Sequence, residues 1–273
     1  MRGESQPQMM HTTEPELARD AWQRANGRRL LLLLDFDGTL TEFQADPAAV
    51  DLPAARREIL ARLQERATIG VVSGRRLEDV RTRVSLDDII VAGLHGLEIE
   101  IRHGGHTEET RTQRFVHPDL ASALDVSTEV GHRLRERTRE LRGVFVEDKG
   151  ASVALHFREA LPGDQRKAID AFAEVTASIV ERGLVRIMRG SNVLELLPNI
   201  DWNKGSAVRW IVERVQERSG PVFLVYIGDD VTDQDALTIV EEADGLAIAA
   251  SDRVTARVRL DGPAGVERFL AAL

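Results

Sequence analysis

The sequence predicts a doubly wound α/β fold into which a smaller α+β module is inserted. Three observations point there. Short runs of leucine, isoleucine and valine alternate with segments of helical periodicity at both ends of the chain. The middle carries strands with one polar side, as antiparallel sheets backed by helices do. The length of 273 residues suffices for one large domain or two modest ones.

Residues 1–27 are expected to form an N-terminal arm. "MRGESQPQMMHTTEPELARD" lacks the apolar centre of a secretory signal and reads as a frayed end. "LLLLLDF" then reads as a strand buried on both faces, and "PAARREILARLQER" as a helix entered at Pro53. "ATIGVVSGR", "LEDVRTRV" and "DIIVAGLHG" continue as strand, helix and strand. "GLEIEIRHGGHTEETRTQRF" reads as a two-sided polar hairpin turning at Gly104 and Gly105. The helical "PDLASALDVSTEVGHRLRERTREL" follows, then "VFVEDKGASVALHFR" as one alternating strand. A helix around 164–182 and the strands "GLVRIMRG" and "SNVLELLP" complete the inserted module, placed at 110–198. The strand "PVFLVYIGDD", the helix "TDQDALTIVEEA" and the strand "GLAIAA" close the α/β core, which spans 28–109 and 199–273.

Composition excludes several classes. No apolar run approaches the roughly 18 residues of a membrane span. A net charge of −9 argues against a general nucleic-acid binder. With no cysteine there are no disulfides or thiolate metal sites, which fits a reducing, cytoplasmic setting. Of 36 basic residues only Lys149, Lys167 and Lys204 are lysines. Either codon bias left three survivors, or lysine is kept where a compact ammonium matters.

In open α/β sheets ligands bind beyond the carboxyl ends of the strands. Four such ends carry polar clusters here: Asp35 with Asp37, Ser73, Lys204 just before a helix, and Asp229, Asp230 and Asp233. Each has a plainer explanation. Asp37 suits an N-cap, Ser73 a turn, Lys204 a solvated helix position, and the last acids a helix N-terminus. One crevice would nevertheless gather all four. Clustered carboxylates call for a hard cation, and oxygen-only donors point to Mg²⁺, which accepts one or two carboxylates plus phosphate oxygens. A hydroxyl and an ammonium suit the other phosphate oxygens. The chemistry that fits is phosphoryl transfer, by metal-activated water or by a carboxylate nucleophile. The D-x-D spacing favours the second, because residues i and i+2 of a strand project to one side.

These residues resemble the haloacid dehalogenase-type (HAD) phosphatases. "DFDGTL", "VVSGR", "NKG" and "GDDVTD" are similar to that superfamily's four motifs and occur in its order. The resemblance implies a Rossmann-like core with an inserted cap that closes over substrate. It implies Asp35 as nucleophile, Asp37 as general acid and base, and Ser73 and Lys204 as phosphate ligands. Mg²⁺ would be held by Asp35, the Asp37 carbonyl and Asp229, with Asp233 or Asp230 in support.

"GLHGLEIE", "VEDKGASVALHFR", "VLELLPNIDWNKGSAV" and "YIGDDVTDQDA" further resemble trehalose-6-phosphate phosphatases. That resemblance implies sugar contacts from Glu147, Lys149 and Glu195, with Arg75, His95 and Gly96 also against substrate. Ionised partners suit a disaccharide rich in hydroxyls. Trp202 and Trp210 are expected to be packing residues, and His156 and Arg158 receive no role. "TEFQADP" departs from the apolar, proline-bearing stretch common in the family, which puts Glu42 near the cleft. The expected partner is a small-molecule sugar phosphate, with no nucleic acid and no membrane, and the chain is expected to act as a monomer. Rival readings are a phosphatase for a sucrose-, glucosyl- or mannosyl-type phosphate, a phosphomutase, and a response-regulator-like domain. The inserted cap counts against the last.

Overall fold

The computed structural model describes residues 13–44, 49–103 and 111–273. In chain order the elements are α1 (Glu14–Ala25), β1 (Arg29–Leu34), α2 (Ala54–Leu63), β2 (Ala67–Val72), α3 (Leu77–Val84), β3 (Ile90–Gly93), β4 (Glu98–His103) and β5 (Arg111–Val116). Then follow α4 (Leu120–Thr138), β6 (Phe145–Asp148), β7 (Val153–His156), α5 (Pro162–Glu181), β8 (Val185–Gly190) and β9 (Val193–Pro198). The chain ends with α6 (Lys204–Ser219), β10 (Val222–Gly228), α7 (Gln234–Glu242), β11 (Leu246–Ala249), β12 (Val258–Arg259) and α8 (Gly262–Ala272). Two units result: residues up to Ser73 with Leu77–Phe115 and Trp202–Leu273, and Gly74–Arg76 with Val116–Asp201.

The first unit holds an eight-stranded sheet in the order β12-β11-β10-β1-β2-β3-β4-β5. From β12 to β3 every pairing is parallel, and β4 runs antiparallel to β3. The leucine run explains the layering, since alternate residues of a strand face opposite sides. Leu30, Leu32 and Leu34 join the core under α1, α2, α3 and α8. Leu31 and Leu33 join the core under α6 and α7. All five are fully buried, as expected of a central strand covered on both faces.

The second unit holds a four-stranded antiparallel sheet, β6-β7-β9-β8. Val146, Val153, Leu155, Leu194 and Leu196 form its core with residues of α4 and α5.

Four expectations are corrected. The N-terminal arm is in part a helix: α1 buries Leu17, Ala18, Ala21 and Ala25, and Trp22 Nε1 donates to the Leu273 carbonyl at 2.8 Å. Its start is fixed by Glu16, which accepts from the Thr13 backbone N–H at 2.9 Å. "VFVEDKGASVALHFR" is two strands rather than one, because Gly150 takes φ +93° and Lys149 N–H pairs with the Ser152 carbonyl at 3.0 Å. β5 belongs to the first unit's sheet, where Phe115 stacks on Trp202 at 4.8 Å and packs against Trp210. The division between units therefore falls at Val116 and Asp201, beyond the expected 110 and 198. The hairpin turn expected at Gly104 and Gly105 lies outside the described residues.

Candidate active site

The register of the central strands sets the site. Leu34 of β1 pairs with Ile227 of β10, and the Asp35 N–H continues the ladder to the Ile227 carbonyl at 2.9 Å. Asp35 and Asp229 thus leave the carboxyl ends of neighbouring parallel strands. The chain then turns tightly after β1, with Leu40 and Thr41 N–H both donating to the Phe36 carbonyl. Gly38 has φ +86°, and a Cβ there would lie 2.5 Å from Asp229 Oδ2. Only glycine permits the two acid-bearing strand ends to come this close.

Lys204 is the first residue of α6. Asn203 caps the helix by accepting from Ser206 N–H at 2.9 Å. The Lys204 side chain is 2% exposed and donates to Asp35 Oδ1 at 2.6 Å and Asp233 Oδ1 at 2.7 Å. Tyr226, the sole tyrosine, donates to Asp233 Oδ1 at 2.5 Å. The backbone N–H groups of Asp229 and Asp230 reach Asp233 Oδ2 at 3.2 and 3.1 Å. Four donors fill the roughly four acceptor positions of the Asp233 carboxylate, which casts it as an organiser of the site.

Asp229 accepts from Thr39 Oγ1 at 3.3 Å and from Arg253, whose other arm ion-pairs with Asp230 at 3.2 Å. Arg253 also lies over the Phe43 ring, 4.9 Å from its centroid. Burial drives Asp35 well above the ordinary carboxylate range against the pull of Lys204. Burial likewise pushes Asp229 up to about 6, opposed by Arg253 and reinforced by Asp233 and Asp230. Burial alone would lower Lys204, yet Asp233 and Asp35 outweigh it and hold the ammonium charged.

Carboxylate oxygens of Asp35, Asp229 and Asp233 lie within 4.8 Å of one another. Hard oxygen donors, all buried and with more carboxylates than Lys204 and Arg253 together balance, fit a Mg²⁺ ion. With Asp233 committed to four donors, Asp35 and Asp229 are the carboxylates best placed to face such an ion, with Asp230 beside them. Asp37 is half-buried in the turn after β1.

On the neighbouring strands, Ser73 is buried at the end of β2, its N–H bonded to the Ala92 carbonyl. Its own carbonyl accepts from His95 N–H at 2.9 Å, which ties Ser73 to the left-handed turn Leu94–Gly96 after β3. At Gly96 a Cβ would lie 2.3 Å from Ala207 Cβ, so its place is as much packing as binding. Trp202 Nε1 donates to the Gly96 carbonyl at 2.8 Å, in keeping with the packing role read for it. Glu42 is exposed and pairs with Arg56 at 3.6 Å.

In the second unit, the sheet face away from α4 and α5 carries a polar cluster. Glu195 Oε1 accepts from Ser152 Oγ at 2.9 Å and Glu195 Oε2 from Lys149 at 3.2 Å. Glu147 Oε2 meets His156 Nε2 at 2.8 Å. Burial would raise Glu147, but the bond to His156 and the charges of Lys149 and Arg75 together hold it below its ordinary value. Arg76, next to Arg75, pairs with Asp148 at 3.2 Å.

Sequence reasoning missed Thr39, Tyr226, Arg253, Ser152 and His156 as members of these networks. Tyr226 carried a signal, being the one polar side chain in an otherwise apolar strand. Arg253 carried a weaker one, in the loop after β11, the next strand end along the sheet.

This fold is shared with haloacid dehalogenase-like hydrolases. One from Bacteroides thetaiotaomicron matches with a TM-score of 0.58 at 18% identity, covering 89% of this chain and 98% of that one. The C-terminal domain of C. albicans trehalose-6-phosphate phosphatase is more similar, with a TM-score of 0.72 at 22% identity over 94% of this chain and 95% of that one. The family model of trehalose-phosphatase matches residues 33–260. A trehalose-phosphate phosphatase of Mycobacterium ulcerans is 34% identical, covering 96% of this chain and 67% of the relative. The chain belongs to the trehalose-phosphatase family, whose members are phosphoric monoester hydrolases.

Proposed function

We propose that the chain hydrolyses trehalose 6-phosphate to trehalose and inorganic phosphate, with Asp35 carrying the phosphoryl group between two steps. The observation that carries this is the buried constellation of Asp35, Lys204, Asp229 and Asp233 at the ends of β1 and β10, in a chain of this family. Asp35 and Asp229, with the Asp37 carbonyl and Asp230, would hold Mg²⁺. When bound, the ion supplies charge neutralisation at the carboxylates and phosphoryl oxygens.

The chain's own residues do the rest. An Asp35 carboxylate oxygen attacks phosphorus as the bond to the sugar oxygen breaks, and Asp37 gives that oxygen its proton. Lys204 and Ser73 hold phosphoryl oxygens as their charge shifts. Asp37, now a carboxylate, takes a proton from water, which attacks phosphorus and releases phosphate with Asp35 restored. Glu147, Lys149 and Glu195 take up sugar hydroxyls, which penalises analogues lacking them. Arg75 and His95 serve the substrate's phosphate and adjoining hydroxyls.

Among the described residues no helix is long and apolar enough to cross a membrane. A cytoplasmic monomer acting on a small sugar phosphate, without nucleic acid, is the setting we assign. The test is phosphate release from trehalose 6-phosphate beside sucrose, glucose and mannosylglycerate phosphates, with Mg²⁺ and with chelator. Preference for trehalose 6-phosphate, lost in Asp35→Asn, is expected. Equal slow release from all four would leave a phosphatase of another sugar phosphate, and transfer of phosphate back to sugar without release would indicate a mutase.

A further inference from the structure

We propose that Phe145, backed by His156, forms an aromatic wall against which one sugar ring of the substrate is held. This rests on the reading that Glu147 and Glu195 bind sugar hydroxyls.

The register of the second unit's sheet places the groups. Phe145 pairs with His156 across β6 and β7, and the next rung runs Glu147, Ala154, Glu195 across β6, β7 and β9. Residues opposite one another, and residues two apart, share a face. Phe145, His156, Glu147, Ala154 and Glu195 therefore lie on one face, opposite the one that carries Val146, Val153 and Leu155 into the core. The two acids are two strands apart, roughly 10 Å. Between them in the sheet stands Ala154, the short and buried side chain of that rung, so the two carboxylates are its polar groups. One rung along, about 7 Å away, the Phe145 ring stands 5.9 Å from the His156 ring.

Phe145 is out of place by ordinary rules. It is 55% exposed on an edge strand, where proteins prefer charge to aromatic surface. Its sheet neighbour His156 is anchored through Glu147, so the ring beside it has a fixed support. Pyranose rings present hydroxyls at their rim and C–H groups on their faces. A pair of carboxylates for the rim and an aromatic ring for a face match that chemistry.

The test compares Phe145→Ala and Phe145→Trp with the unaltered enzyme on trehalose 6-phosphate and on glycerol phosphate, which has no sugar ring. Melting curves confirm that both variants fold. The alanine variant is expected to raise KM for trehalose 6-phosphate roughly three- to tenfold, the factor of one aromatic contact, with kcat little changed. Tryptophan should restore it, and neither variant should alter the use of glycerol phosphate. Equal losses on both substrates, or no change on either, would overturn the wall while leaving the enzyme's function intact. Inactivity of the unaltered enzyme on trehalose 6-phosphate would overturn the function and the wall with it.

Discussion

Replacing Lys204 by methionine, close in volume but uncharged, strands Asp35. In the native protein Lys204 lies 2.6 Å from Asp35 Oδ1 and 2.7 Å from Asp233 Oδ1, with all three side chains buried. Asp233 keeps Tyr226 and two backbone N–H donors after the change, so the burden falls on Asp35. Removing one partner of a buried pair typically costs about 3–5 kcal/mol. A ceiling follows from protonation. An aspartate of ordinary pKa 3.8 can be neutralised at pH 7 for about 4 kcal/mol, at 1.36 kcal/mol per pH unit. Because burial already raises Asp35 in the parent, the expected loss for the metal-free protein at pH 7 is at most about 4 kcal/mol, or up to roughly 16 °C in melting temperature for a unit of this size. At pH 5 the same ceiling falls to about 1.6 kcal/mol. The sign is fixed by the direction of the shift. An acid whose folded pKa is raised destabilises when ionised, and the penalty fades as pH falls toward its unfolded value. Calorimetry of parent and Lys204→Met in chelator at pH 7 and pH 5 measures both differences. A variant that melts within a degree or two of the parent at pH 7 would refute the reasoning, as would a deficit that fails to shrink at pH 5.

Three other outcomes are expected. Gly38→Ala forces a residue at φ +86° and drives its methyl group into Asp229; it should cost at least about 1–2 kcal/mol in chemical unfolding and depress phosphate release more than tenfold. Mg²⁺ at a hundred times its dissociation constant should stabilise the parent by about 2.7 kcal/mol, and Asp229→Asn should remove most of that shift in a thermal melt. Glu147 sits below its ordinary 4.5 because His156, Lys149 and Arg75 outweigh burial. Such a carboxylate contributes stability that is present above pH 4.5 and lost as pH falls through its lower folded value. Glu147→Gln should therefore be less stable than the parent at pH 7, with the gap closing below pH 4.5 in urea titrations at stepped pH.

The acids of the site were readable because each interrupts a pattern. Five leucines followed by Asp35 and Asp37 leave a buried strand no plain reason to end in charge, and "YIGDD" repeats the event on β10. The chain turn inside "VEDKGAS" was read through because the stretches on either side of it alternate, whereas Asp148, Lys149 and Gly150, the last at positive φ, interrupt the strand there. Helix α1 left a trace in Thr13 and Glu16, but its buried face is mostly alanine, which gives weak periodicity. The place of β5 depended on Phe115 meeting Trp202 and Trp210, both far along the chain. Arg253 belongs to no motif, and its importance comes only from the β11 loop returning beside Asp229.

The four-donor arrangement around Asp233 has a kinetic side. A free lysine samples many rotamers, and fixing one costs about 1.5–2 kcal/mol. Here the tyrosine, the two backbone N–H groups and the carboxylate fix Lys204 as the chain folds, long before any phosphate arrives. Each catalytic cycle then begins with its cation already aimed, and the reorganisation that water would demand does not recur.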